Sequence, residues 1–321
     1  MIYYLCADDQ SPSGGRRVSY RHVDILNENG IPAAIMHSQP GYRLNWFEND
    51  TQVVSAYQTA LTDDDILVFP ETRGPQIKEM AMGHRYVIFD QNAYYTWSGY
   101  TGVEIETPFD EALGVMCVSD NNREYLNFAF PHLMGRLQRV HISIDHDLFT
   151  HVPIAEKKKQ VALMIRKHQD EVNQVVHLLK FRNQVSHWQF VVIDNVPESE
   201  VARIMQQSAV FLEFGYPAGC PVPPLEALAC GTFVIGYSGF GANEYISKTT
   251  NFTAIQHADT MNFAKVVEST CLWLDQVIEG GGYALDFAEQ QSKRDADYIK
   301  NTYNRQVETD DILRFWREIL A

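Results

Sequence analysis

The sequence predicts an α/β protein built from two consecutive parallel-sheet domains. Three observations predict it. The chain has 321 residues, more than one ordinary core holds and enough for two domains of about 150 residues. Short apolar runs alternate with helix-period segments, as in βαβ units. That alternation then restarts near Val161, after a polar, irregular stretch. Proline and glycine are scattered, so no disordered linker separates the halves.

The first half opens on an apolar run from Ile2 to Ala7, followed by the polar loop 8–15. Val18, His22, Ile25 and Leu26 then mark one face of a helix, and Asn29-Gly30 stops it. Ala33–Met36, Ile66–Phe69, Tyr86–Phe89 and Val115–Val118 are short apolar runs with polar or Gly/Pro borders, and read as buried parallel strands. Residues 143–149, SIDHDLF, read as the crossover between domains. In the second half Val161–Ile165, Phe190–Ile193, Val210–Leu212 and Phe233–Ile235 read as strands. Between them, Val172, Val175, Val176 and Leu179 define one helix, Ser199–Gln207 another and Pro223–Cys230 a short third. The tail from about residue 258 is helical, with Thr309 expected to cap a last helix whose stripe is Ile312, Phe315, Trp316 and Ile319.

Composition excludes several classes. The net charge of −15, with no polybasic stripe, argues against a protein that tracks nucleic-acid phosphates and against strong attraction to anionic lipid. The five cysteines at 6, 117, 220, 230 and 271 are odd in number and widely spaced. They form no disulfide framework, and Cys6, Cys117 and Cys230 read as small buried hydrophobes. The first residues run directly into a polar loop and no apolar stretch reaches a membrane span, so a soluble, cytoplasmic chain is expected.

Four loops, each after a predicted strand, carry residues suited to one site, because parallel sheets bind ligands beyond their carboxyl ends. Ser13-Gly14-Gly15-Arg16-Arg17 offers close backbone approach and a helix N-terminus that favours an anion. Arg166 and Lys167, in MIRKH (164–168), place a guanidinium fork and a point charge where a diphosphate would lie. Lys157-Lys158-Lys159 reads instead as a solvated basic turn. In PVPPLEALACG (221–231), Pro223-Pro224 fix a helix start and put Glu226 in its first turn, able to accept two hydroxyl hydrogen bonds from a diol. GFGANE (239–244) lacks the third glycine of a dinucleotide fingerprint, but with Gly241 and Glu244 it reads as a loop presenting N–H groups to phosphate. Asp145-His146-Asp147 is a weak D-x-D, and the eleven histidines show no zinc spacing. No metal is expected.

These residues together resemble the GT-B retaining glycosyltransferases of family four, over nearly the whole chain. SGGRRVSYRHVDILN (13–27) is similar to that family's glycine loop and helix, and FDQNAYY (89–95) to a segment of a rhamnosyltransferase-like branch. IDHDLF (144–149) is similar to the family's crossover, and PPLEALACG (223–231) to its most specific motif. The resemblance implies two Rossmann-like domains facing across a cleft. Residues 1–149 would hold the acceptor, 150–305 the nucleotide sugar, and 306–321 would be a helix crossing back to the N-terminal domain. It implies that Glu226 binds the donor ribose and that Gly14, Gly15, Gly219, Gly241 and Glu244 surround the donor. Arg166 and Lys167 would neutralise the leaving diphosphate without a metal or other cofactor.

Two departures stand out. The family pattern is Glu, seven residues, Glu, and the position eight before Glu226 is Ala218. Glu213 lies too early for that role unless the loop is rebuilt. Relatives often have a histidine in the N-terminal domain near the sugar, where this chain offers Asp90, Gln91 and Asn92, with Asn92 the catalytic candidate. The expected activity is transfer of a hexose or pentose from a nucleoside diphosphate sugar to a glycan or small molecule. A degenerate nucleotide-sugar-binding protein and a sugar-nucleotide epimerase stay open as alternatives.

Overall fold

Most of the apolar runs become strands because both faces of a parallel sheet are covered, which leaves no polar face to alternate. The computed structural model describes residues 1–101 and 107–321. The chain divides into unit 1, Met1–Ile142 with Gln306–Ala321, and unit 2, Ser143–Arg305.

In unit 1 the order is β1 (Ile2–Leu5), α1 (Gly14–Glu28), β2 (Ala33–His37), β3 (Val53–Ser55), β4 (Ile66–Pro70), α2 (Ile77–Ala81), β5 (Arg85–Asp90), β6 (Val115–Cys117), α3 (Asp120–Ala129) and β7 (Leu137–Arg139). The seven strands lie in the order β3-β2-β1-β4-β5-β6-β7, all parallel. Tyr3, Phe69, Ile88, Cys117 and Leu126 sit in one core on this sheet.

Unit 2 runs β8 (Lys158–Leu163), α4 (Gln169–Arg182), β9 (Gln189–Val192), α5 (Glu198–Gln207), β10 (Ser208–Glu213), α6 (Val222–Ala229), β11 (Phe233–Tyr237), α7 (Asn243–Ile246), β12 (Phe252–Ile255), α8 (Thr260–Gly280) and α9 (Gly282–Thr302). Its sheet has the order β12-β11-β10-β8-β9, again parallel. Val161, Leu163, Val210, Leu212 and Phe263 fill its core, and Phe214 stacks on Phe263 with centroids 4.5 Å apart. Each unit is thus a Rossmann-like half, and each has a switch point where strand order reverses: β1/β4 in unit 1, β8/β10 in unit 2.

The last helix, α10 (Arg305–Leu320), packs within unit 1. Glu308 accepts from Arg21 Nε at 2.6 Å, Asp311 from His141 Nδ1 at 2.6 Å, and Trp316 Nε1 donates to Tyr4 Oη at 3.2 Å. Thr309 lies inside this helix and is not its cap, because the helix already begins at Arg305.

Two more expectations need correction. Lys157 is not a solvated turn residue: it is 7% exposed, and its ammonium donates to Gln206 O at 3.0 Å and Thr232 Oγ1 at 3.1 Å. Burial pulls its pKa down to about 8. Glu226 is not in the first turn of its helix, since α6 starts at Val222, ahead of the proline pair. All five cysteines are free and buried. No helix among the described residues is long and apolar enough to cross a membrane.

Candidate functional site

In unit 2 the loops after β8 and β10 part at the switch point, so residues from both meet at the carboxyl edge of the sheet. β8 ends at Leu163, and the turn before α4 carries Arg166, which is exposed, and Lys167, which is half-buried. Lys167 Nζ donates to the Pro217 carbonyl at 2.7 Å, and His168 Nε2 lies 2.7 Å from the Tyr216 carbonyl. The turn after β8 therefore clasps the loop after β10 by two consecutive carbonyls. His168 holds a left-handed backbone (φ 54°) at the start of α4. Its ring stacks on Tyr216 at 3.9 Å, and His257 covers the other face at 4.3 Å. Tyr216 Oη in turn donates to Glu171 at 2.9 Å.

The loop after β10 is equally fixed at its other end. Ala218 N–H donates to Gly239 O at 2.8 Å, and Gly241 N–H donates to Ala218 O at 3.1 Å. A Cβ on Gly241 would lie 1.9 Å from the Gly219 carbonyl oxygen. Gly241 and Gly219 are therefore brought together, and backbone-to-backbone contact alone explains why residue 241 is glycine. Glu244, at the start of α7, accepts from Tyr303 Oη at 2.7 Å. Glu226 is 5% exposed in the second turn of α6.

Glu213 is the residue that sequence reasoning set aside. It ends β10, is 8% exposed, and accepts from the Gly215 N–H. Burial pushes its carboxyl up to about 7, against a downward pull from the Gly215 N–H bond and then from Lys167 and Arg166. The detectable signal was a single acid closing the apolar strand SAVFLE.

In unit 1 the switch point lies between the loops after β1 and β4. Asp8 accepts from His37 Nδ1 at 2.9 Å and Gln39 N–H at 2.9 Å, and Arg16 pairs with Asp9 at 2.8 Å, which fixes the loop before α1. Gly14 has nothing within 4 Å of an added Cβ. At Gly15 that Cβ would lie 2.6 Å from Gln91 Oε1, and Gln91 Nε2 donates to Gly15 O at 3.2 Å. Gln91 thus occupies the space the second glycine leaves. Asn92 Oδ1 accepts from Tyr94 N–H at 3.3 Å and caps a short turn at 93–95.

Beneath these residues lie Glu71 and Asp90, 4% and 0% exposed. Glu71 accepts from Gln91 N–H at 3.1 Å, and Asp90 from Thr96 Oγ1 at 2.9 Å. Burial raises both carboxyl pKa values, and the charge of Asp90 raises that of Glu71 further. Glu71 was missed in the sequence, although it directly follows the run ILVFP.

Asp145, of the D-x-D, accepts from the Asp147 and Leu148 N–H groups at 2.9 and 3.1 Å and so shapes a turn. Among the described residues no three His, Cys, Asp or Glu side chains converge as a ligand set.

Comparison with known proteins accords with this architecture. Residues 146–271, all within unit 2, match the family model of the glycosyl transferases group 1. Across 95% of its length the chain is 24% identical to an alpha-1,6-glucosyltransferase of Actinobacillus pleuropneumoniae serotype 7, covering 86% of that protein. Sucrose-phosphate synthase from Thermosynechococcus elongatus has the same fold, with a TM-score of 0.70 at 10% identity over 99% of this chain and 98% of its own. So does the pneumococcal O-GlcNAc transferase in complex with UDP and GlcNAc, with a TM-score of 0.66 at 11% identity and 99% coverage of both chains. The fold is that of the GT-B glycosyltransferases.

Proposed function

We propose that the protein is a retaining glycosyltransferase that moves a sugar from a nucleoside diphosphate sugar to a glycan or small-molecule acceptor without a metal. The observation that carries this reading is the position of Arg166 and Lys167. They stand at the switch point of unit 2, within the segment that matches the glycosyl transferases group 1 model. On this reading unit 2 holds the donor. Glu226 accepts the ribose hydroxyls, and the loop 239–244 flanks the phosphates.

Charge builds on the diphosphate as the glycosidic bond breaks, and fixed cations aimed there lower the barrier. The leaving diphosphate itself takes the acceptor proton on the face it departs from, so retention needs no protein nucleophile. Unit 1 serves the acceptor, with Asn92 and Gln91 at the carboxyl end of β5 as its polar contacts. The rhamnosyltransferase-like segment at 89–95 lies in the same place.

A screen of UDP-, ADP-, GDP- and dTDP-sugars by thermal shift, followed by product analysis, tests this. The name of the Actinobacillus relative makes a glucosyl donor the first to try. Anomeric retention in the product is expected, together with a loss of about 100-fold or more in turnover for Arg166→Ala. An Arg166→Ala variant with full turnover would sink the assignment. A second reading, a nucleotide-sugar-binding protein without transfer, is favoured by Ala218, whose N–H and C=O are both spent on Gly239 and Gly241. Tight donor binding with neither transfer nor donor hydrolysis across the panel would select it.

A further inference from the structure

Glu213 has no part in the function proposed above, yet it is built into the same edge. The register pairs Leu212 with Leu163 and Glu213 with Gly236, so Glu213 lies level with the exit of β8 toward Arg166. A Cβ on Gly236 would lie 2.0 Å from the Glu213 carbonyl oxygen, so β11 presses its bare backbone against this residue. The carboxylate accepts from the Gly215 N–H, which opens the loop 215–219 whose Pro217 carbonyl Lys167 clasps. The titratable and charged groups that face it are Arg166 and Lys167 from the turn after β8 and Tyr245 from α7; Gly236 of β11 brings none.

We propose that binding of the donor diphosphate at Arg166 and Lys167 is coupled to uptake of one proton by Glu213. This rests on the reading of unit 2 as the donor site. In the free protein the Gly215 N–H bond and the two cations pull against the burial that raises this carboxyl, so it stands between its charged and acid forms. A diphosphate dianion neutralises those cations and adds its own repulsion, so the balance tips to the acid form, with the proton drawn from solvent. Glu213 is then a positioning residue. As a carboxylic acid it gains an O–H donor beneath the donor site, which a carboxylate lacks.

The free carboxyl stands at about 7, so the coupling is readable near neutral pH. Calorimetry with UDP-glucose, ADP-glucose, GDP-mannose and dTDP-rhamnose, in buffers of different ionisation enthalpy, counts the protons. These diphosphate diesters do not titrate near neutrality. Wild-type protein is expected to take up as much as about half a proton per bound donor at about pH 7. For a further rise of one unit, donor affinity falls about tenfold between roughly pH 6 and pH 9.

Glu213→Gln should abolish both effects while still binding the donor, which also separates Glu213 from the neighbouring His168. The carboxyl ¹³C resonance of Glu213, titrated with and without donor, reads the same shift in unmodified protein. Donor binding with no proton uptake, or uptake unchanged in Glu213→Gln, overturns the coupling alone. Failure of all four donors to bind overturns the donor-site reading and the coupling with it.

Discussion

The two switch points differ in what surrounds their buried acids. In unit 1, burial acts most strongly on Glu71 and Asp90, the charge of Asp90 adds to it at Glu71, and their bonds go to local groups such as Gln91 N–H and Thr96 Oγ1. In unit 2, burial of Glu213 is set against the Gly215 N–H bond and the charges of Lys167 and Arg166. The same parallel-sheet geometry thus raises buried carboxyls at both edges, and in unit 2 Arg166 and Lys167 pull against that rise. The fold supplies the edge, and the loop residues decide its charge.

Arg166→Ala probes that contrast with the largest expected effect, roughly 3–4 kcal/mol of transition-state stabilisation read as kcat/KM. Loss of Asn92 at the other edge should cost less, because its side chain already caps the 93–95 turn. Equal losses at both edges would erase the difference in role. Next in size is Gly241→Ala, where the added Cβ meets the Gly219 carbonyl at 1.9 Å. About 2–4 kcal/mol of stability should be lost in denaturant unfolding.

pH dependence of stability sharpens the comparison further. The raised carboxyl pKa values of Glu71 and Asp90 mean that the folded state holds protons the unfolded chain has released. Their contribution is full below the ordinary carboxyl range and is lost as pH rises from there through about 7 for Asp90 and about 8 for Glu71. Stability should fall by about 1.4 kcal/mol per pH unit for each retained proton in that window, and Glu71→Gln should roughly halve the slope. A stability curve that rises over that range would show that the acids are paired after all. The smallest effect belongs to Gly14→Ala, where the added methyl meets nothing within 4 Å. Folding stability should shift by less than about 0.5 kcal/mol. A marked rise in donor or acceptor KM in that variant would show that a ligand uses the space.

Strands buried on both faces were legible because continuous apolar runs leave few alternatives: β1, β2, β8, β10 and β11 are read within a few residues. The short edge strands β3 (Val53–Ser55) and β7 (Leu137–Arg139) were not, since their half-exposed residues resemble loop. The helix α3 was missed because DNNREYLNFA buries only Asn122 and Leu126. In the site, position after a strand sufficed to find Arg166 and Lys167. What the sequence hid is who holds whom. The clasp of Lys167 on Pro217, the Gln91 side chain over Gly15 and the acid pair under Asn92 all join residues distant along the chain.

One feature of the chain path bears on how the protein is made. Unit 2 is an uninterrupted stretch from Ser143 to Arg305, whereas unit 1 is completed only by Gln306–Ala321. On the ribosome, domains ordinarily finish in the order they emerge. Here unit 2 has its whole sequence before unit 1 receives Glu308, Asp311 and Trp316. Until then Tyr4, Arg21 and His141 lack the partners that the last helix brings. The first half of the nascent chain therefore stays unfinished until residues 306–321 have emerged.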